Sequence, residues 1–249
     1  MSGVVPARDG YTTEELLATV MARLTAGLGH IAVGALSPLP ASAALLAREM
    51  SSGTEITILG SPRHMRFTDG GRELFDCAAQ GRVDAFFLSG GQIDGQANIN
   101  LVAIGDYHKP KRRFPGSFGS AYLYHLVPKV ILFRQEHSPR VFVEHVDFVS
   151  AAGTSPRHIY RPGGPKHLVT EMAVMDFEAA AGRFRLATVQ PGYTERELRD
   201  NTGFHYALPE EIRTTPAPTR EELELLRGIV REEVAHAYPK FAREAFLAS

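Results

Sequence analysis

The densest concentration of groups able to do chemistry lies in three neighbouring stretches of the chain. They are Ser89-Gly90-Gly91-Gln92-Ile93-Asp94-Gly95-Gln96-Ala97-Asn98-Ile99-Asn100, Ile104-Gly105-Asp106-Tyr107-His108-Lys109-Pro110 and Arg113-Phe114-Pro115-Gly116-Ser117-Phe118-Gly119-Ser120. Glycines let a backbone approach a ligand closely and expose its N–H donors, while Gln92, Asp94, Asn98 and Asn100 supply directional hydrogen bonds. Taken singly, Asp94, Asn98 and Asn100 have a second reading as caps of the turns that follow a buried strand, and both readings stay open. The basic run Lys109-Pro110-Lys111-Arg112-Arg113 beside this loop reads either as a solvated segment or as a phosphate-binding one.

Familiar catalytic signatures are missing. The sequence has no Gly-x-x-x-x-Gly-Lys-Ser/Thr phosphate loop, no Gly-x-Gly-x-x-Gly after a strand and no His-Glu-x-x-His. Pro115 stands where a nucleophile elbow needs its first glycine, so a serine hydrolase of that kind is not indicated. The single cysteine, Cys77, has no adjacent histidine, and its acidic neighbours raise a thiol pKa rather than lower it. It reads as a small packing residue, and no Cys/His spacing for a metal surrounds it.

The elements that must position these groups alternate between helix and strand. Tyr11 to Ala26 has Thr12 or Thr13 as a cap, acids in the first turn and apolar Leu16, Leu17, Val20 and Leu24 at helical spacing. His30 to Gly34 reads as a strand, Ser37 to Pro40 as a break and Ala41 to Met50 as a helix. Glu55 to Leu59 is a strand, Arg72 to Gln80 a helix and Val83 to Leu88 a strand. Further candidate strands are Val127 to Phe133, Arg140 to Val146, His167 to Val174 and Phe184 to Val189. This order predicts an α/β fold with an open, largely parallel sheet flanked by helices, in a single domain over residues 1–249. Residues 214–219 read as a Pro/Thr linker, and Thr219 with Glu222 forms a capping box for a terminal helix over 220–237.

At 249 residues, 44% hydrophobic and 22% charged, the chain can bury a large core. A net charge of −1 with both signs interspersed argues against nucleic acid as a partner. The absence of a long apolar stretch or an apolar leader predicts no membrane association and a cytoplasmic location, and the lone cysteine agrees with a reducing compartment.

The Gly-rich block resembles the class I CoA-transferases, most closely the β subunit of the glutaconate-specific enzymes. A Gly-Gly-x-Gln-x-Asp-type segment leading into an Asn-x-Asn pair corresponds to Gly90 to Asn100, and a Gly-Asp-Tyr-His stretch to Gly105 to His108. The likeness extends over His30 to Ala47, Phe142 to Gly153 and Asn201-Thr202-Gly203-Phe204, so it covers most of the chain. The resemblance implies a companion α subunit of similar fold, an active site shared with it and an acyl-CoA substrate. It implies CoA or acyl contacts from Gly60, Ser61, Gly90, Gly91, Gln92, Asp94, Asn98, Asn100, Gly116, Ser117, Phe118 and Gly119. It implies no metal and no added cofactor, coenzyme A arriving as part of the substrate.

Two departures bear on the reaction. The family's nucleophilic glutamate falls just after a strand of this subunit, where Ile56-Thr57-Ile58-Leu59-Gly60-Ser61 places Gly60, and no acidic residue lies between Ile56 and Thr68. Phe118-Gly119-Ser120 stands where the transferases carry a Gly-Gly-Ala run, an aromatic that would narrow and dry an acyl pocket. Loss of the nucleophile within a retained framework resembles the family's cofactor-free branch that decarboxylates 3-methylglutaconyl-CoA to 3,3-dimethylacryloyl-CoA on the alternative route to isovaleryl-CoA. Such a reaction leaves a dienolate whose charge spreads onto the thioester oxygen, and N–H groups near Gly90-Gly91 or Gly116 to Gly119 are candidate donors to it. The alternatives are a true CoA-transferase and a ring-opening acyl-CoA hydrolase of the same family.

Overall fold

The structure, a computed structural model, describes residues 10–247. They form two compact units, one running to Phe87 and resuming at Ala217, the other Leu88–Pro216.

The first unit opens with the Thr12 hydroxyl accepting from the Glu15 N–H at 3.0 Å while the Glu15 carboxylate accepts from the Thr12 N–H at 2.9 Å. This reciprocal cap satisfies two donors that a helix start leaves unpaired, and α1 (Thr13–Thr25) follows. Next come β1 (His30–Val33), α2 (Pro38–Met50), β2 (Glu55–Ile58), α3 (Gly71–Ala79) and β3 (Ala85–Leu88). Helix α2 starts a turn earlier than its sequence implied, because Pro38 sits where a helix needs no N–H. Strand β1 pairs in parallel with β2 on one side and β3 on the other. All of β3 and Ile31, Ala32 and Val33 of β1 are buried, as strands covered on both faces must be.

The second unit holds two short antiparallel ladders, β4 (Gln92–Ile93) with β5 (Ile99–Asn100) and β6 (Ala103–Ile104) with β7 (Arg112–Arg113). After α4 (Ser120–Leu126) come β8 (Lys129–Arg134), β9 (Pro165–Thr170), β10 (Ala173–Glu178), β11 (Arg183–Val189), α5 (Glu195–Asp200) and β12 (Arg213–Thr214). Pairing is parallel for β8 with β9 and β11 with β12, and antiparallel for β9 with β10 and β10 with β11. The fold is α/β with mostly parallel strands, as the element order implied.

Two expected strands differ. His167 to Val174 is the end of β9, a tight turn at Glu171-Met172 and the start of β10, since the Thr170 hydroxyl accepts from the N–H groups of Met172 and Ala173 and reverses the chain. Arg140 to Val146 is not a strand. Phe142 makes one isolated bridge to Ile93 and is fully buried, so its apolar neighbours serve a packed loop rather than a ladder.

The terminal helices belong to the first unit. The Thr219 capping box forms as its sequence implied, and α6 (Arg220–Leu225) leads through a π-helical turn (Leu226–Val230) into α7 (Arg231–Ala235), with α8 (Pro239–Glu244) after it. The expected unbroken helix is therefore widened where Gly228 leaves helical geometry, φ −94 and ψ −109. Arg227 binds the buried Glu15 carboxylate at 2.7 Å, and Arg23 of α1 binds Glu222 at 2.6 Å. Both pairs fasten α1 to this helical run. Among the described residues no helix is long and apolar enough to cross a membrane.

Candidate active site

The Gly-rich loop of the second unit is built from its own polar side chains. Asp94 Oδ1 accepts from the N–H groups of Gln96 and Asn98, both at 3.0 Å, and its Oδ2 accepts from the Asn98 amide. Asn98 Oδ1 in turn accepts from the Gly153 N–H at 3.1 Å. Asn100 donates to Gln92 Oε1 at 2.7 Å and to the Ala103 carbonyl at 2.6 Å, while its Oδ1 accepts from the Val102 and Ala103 N–H groups. Gln92 closes the set on Asp147, accepting from its N–H and donating to its carboxylate. The turn-cap reading of Asp94, Asn98 and Asn100 therefore accounts for their hydrogen bonds.

What this scaffold holds in place is a pair of glycines. A Cβ on Gly91 would fall 2.2 Å from the Phe114 ring, so only glycine lets that ring lie against the loop. The Gly91 N–H is given to the Asn100 carbonyl at 2.9 Å, which removes it from the candidate oxyanion donors. Beside them opens a cavity of about 300 Å3 lined by Ser89, Gly90 and Gly91, by apolar Leu101, Ile104, Phe114, Pro115 and Val141, and by Arg112, Arg134 and Arg140. Arg140 chelates Glu136 at 2.6 Å, and Arg134 reaches the same carboxylate at 3.7 Å. Arg112 lies 5.6 Å over the Phe114 ring and has no ion pair among the described residues. Three guanidinium groups thus line the cavity while only two of them share the Glu136 carboxylate, so the cavity is electropositive, suited to a phosphate or carboxylate.

Of the other predicted site residues, Gly116 has φ +105 and the Ser117 carbonyl accepts from Ser120, with Gly119 leading into α4. Phe118, expected as a pocket wall, is 86% exposed with φ +43. Phe114 is the aromatic that lines the cavity. Gly60 and Ser61 belong to the first unit, after β2. Gly60 has φ +80, and a Cβ there would meet no atom within 4 Å. Ser61 is buried, and its hydroxyl faces His64.

The sequence pattern marks the glycines but not Arg134 and Arg140. These two lie outside the block, one at the end of β8 and one in a loop, and nothing local to either distinguishes it. The basic run divides: Arg113 donates to the Tyr107 carbonyl and lies 4.8 Å over its ring, whereas Arg112 turns to the cavity.

Residues 14–201 match the coenzyme A transferase family. The chain belongs to that family. One subunit of the 3-oxoadipate CoA-transferase of Pseudomonas knackmussii is 32% identical over 92% of this chain and 97% of its own length. The crystal structure of IpdAB from Rhodococcus jostii superposes with a TM-score of 0.77 at 29% identity, covering 87% of this chain and 93% of that one. A cysteine-to-serine variant of the decarboxylase AibA/AibB superposes with a TM-score of 0.74 at 25% identity, covering 87% of this chain and 94% of that one. This family member is a CoA-transferase-like β-type chain.

Proposed function

We propose that this chain is the β subunit of a heteromeric, cofactor-free decarboxylase that converts 3-methylglutaconyl-CoA to 3,3-dimethylacryloyl-CoA, working with an α subunit of the same family. The observation that carries the reading is the strand end after β2. No carboxylate lies between Ile56 and Thr68, and Gly60, at the family's glutamate position, leaves open space around its α-carbon. Without a nucleophile the acyl group is not captured, and the substrate's own thioester serves as electron sink.

Breaking the bond to the distal carboxylate sends its electron pair into a dienolate that ends on the thioester oxygen, and donors aimed there lower the barrier. An arginine on the departing carboxylate would instead hold the reactant, because only interactions stronger in the transition state accelerate the step. The arginine cavity of the second unit therefore suits the phosphates of coenzyme A. Its apolar walls accommodate a short chain.

A second reading, a carbon–carbon hydrolase acting on an acyl-CoA, is favoured by the likeness to IpdAB, named for cholesterol ring cleavage in its curated relatives. Incubating the complex with 3-methylglutaconyl-CoA, with and without acetate, separates the readings. Release of CO2 without acetate supports the decarboxylase, acetyl-CoA formation would restore the transferase, and turnover of neither kind would favour the hydrolase.

A further inference from the structure

The loop that follows β2 holds a second chemical arrangement inside the first unit. The chain turns at Ser61, where the Met65 N–H donates to the Ser61 carbonyl and the Ile58 N–H donates to the His64 carbonyl. This brings His64 Nδ1 to 3.3 Å from Ser61 Oγ. On its other side His64 Nε2 lies 2.9 Å from Glu233 Oε2, 169 positions later on α7. Arg48 of α2 binds the same Glu233 oxygen at 2.8 Å and also pairs with Glu49. The serine is 2% exposed, and the histidine side chain 11%.

A turn cap alone would need only Ser61 and the His64 N–H, which donates to Ser61 Oγ at 3.2 Å. It does not need a carboxylate from a distant helix. Glu233 accepts the Nε2–H, so the neutral ring presents its Nδ1 lone pair to the serine, and the protonated ring presents an Nδ1–H. This is the nucleophile, base and orienting-acid geometry of acyl-transfer enzymes, next to the glycine that stands for the lost glutamate.

We infer that Ser61, His64 and Glu233 form the proton-delivery chain that quenches the dienolate, an inference that rests on the decarboxylase reading above. As the carbon–carbon bond breaks, CO2 leaves and its bonding electrons pass to the dienolate. The Ser61 hydroxyl proton goes to carbon, Ser61 Oγ takes the Nδ1 proton of His64, and His64 is recharged from solvent. Ser61 is the catalytic residue in this chain, His64 its proton source and Glu233 a positioning residue. The charged groups facing His64 among the described residues are Glu233 and, through the same carboxylate, Arg48 with its partner Glu49.

The test uses the complex with its α partner and 3-methylglutaconyl-CoA, following CO2 and kcat against pH. The expected wild-type kcat falls as pH rises, because the imidazolium is the donor. His64→Gln keeps an amide to bind Glu233 and is expected to lose about a hundredfold or more in kcat, with KM within about threefold and the basic limb gone. Ser61→Ala gives a similar loss, and Ser61→Thr, which keeps the hydroxyl, retains about a tenth of the activity. Glu233→Gln lowers kcat by about tenfold with KM within about threefold, since the ring then loses the carboxylate that orients it. If His64→Gln does not fold by circular dichroism, Ser61→Ala carries the test, as it removes one oxygen. A wild type that releases CO2 while both variants stay within about threefold of it in kcat overturns the relay and leaves the decarboxylase reading standing. A wild type that releases no CO2 removes that reading and the relay with it.

Discussion

Between Gln92 and Asn100 the side-chain amides and the Asp94 carboxylate bond to one another, to Asp147 and to nearby backbone, so that the buried Gln92, Asp94 and Asn100 are matched within their own unit. Between Leu59 and Met65 a glycine leaves empty space, and the two side chains that interact, Ser61 and His64, are joined to Glu233 from a different part of the sequence. The first loop is rigid because its buried polar side chains are matched by one another and by nearby backbone. The second is held by contacts between Ser61 and His64 and between His64 and Glu233, which comes from a distant helix. Density of polar residues in a sequence thus marks a scaffold here, and the groups free to do chemistry lie beside it or elsewhere.

The comparison breaks most visibly under acid if the second unit is the rigid one. His137 is buried against Phe142, with its ring nitrogens 2.8 and 2.9 Å from the Thr170 and Thr202 hydroxyls, and burial pushes its pKa down to about 3. The folded value lies below the ordinary one of about 6.5, so the unfolded chain takes up the proton first as pH falls. Its contribution is whole above about pH 6.5 and is lost toward pH 3, on the order of 4 kcal/mol over that window. Urea unfolding from about pH 7 to about pH 4 should show a slope that His137→Gln reduces by about one proton. Equal slopes would mean that the ring is not held neutral.

Asn100→Ala attacks the scaffold directly. It removes a buried side chain with two donated and two accepted hydrogen bonds and strands the N–H groups of Val102 and Ala103, at a cost of about 3 kcal/mol. Chemical denaturation measures it, and a loss under about 1 kcal/mol would show that the loop is not rigid for the reason given.

Gly60→Glu sharpens the other half. The side chain has room, and the φ of +80 makes the substitution cost only about 1–2 kcal/mol of stability. A carboxylate there repels the departing one and retains water, so CO2 release by the complex should fall. Unchanged release by a folded variant would mean that Gly60 does not line the site. Mass spectrometry for a glutamyl-CoA adduct tells whether acyl exchange returns.

The smallest effect is expected at Cys77, buried on α3 with no histidine beside it in the sequence. Cys77→Ala should keep most of the activity and lose about 1 kcal/mol of stability, read by thermal melting. A loss of about a thousandfold in turnover with the fold intact would make the thiol a participant.

Some of this was legible because its causes are local. Thr12 with Glu15 and Thr219 with Glu222 satisfy helix starts within one turn, and the isoleucines of β2 and the phenylalanines of β3 announce buried strands. The Gly90 to Asn100 block marks the loop and the family, since the residues that bond to one another lie mostly within a few positions. The segment Val141-Phe142-Val143 reads as a strand by composition, but one bridge and a buried ring make it a loop.

The amino-acid sequence by itself determined the order of elements, the capped helices and the lack of an acidic residue between Ile56 and Thr68, all of which follow from neighbours along the chain. Tertiary structure alone decided which polar residues are already satisfied, which arginines share a cavity with Gly91, and that Glu233 orients His64 toward Ser61. The physical reason is one of range: caps and hydrophobic periodicity act over a few residues, whereas a cavity's charge and a histidine's tautomer are set by groups that only folding brings within hydrogen-bond distance.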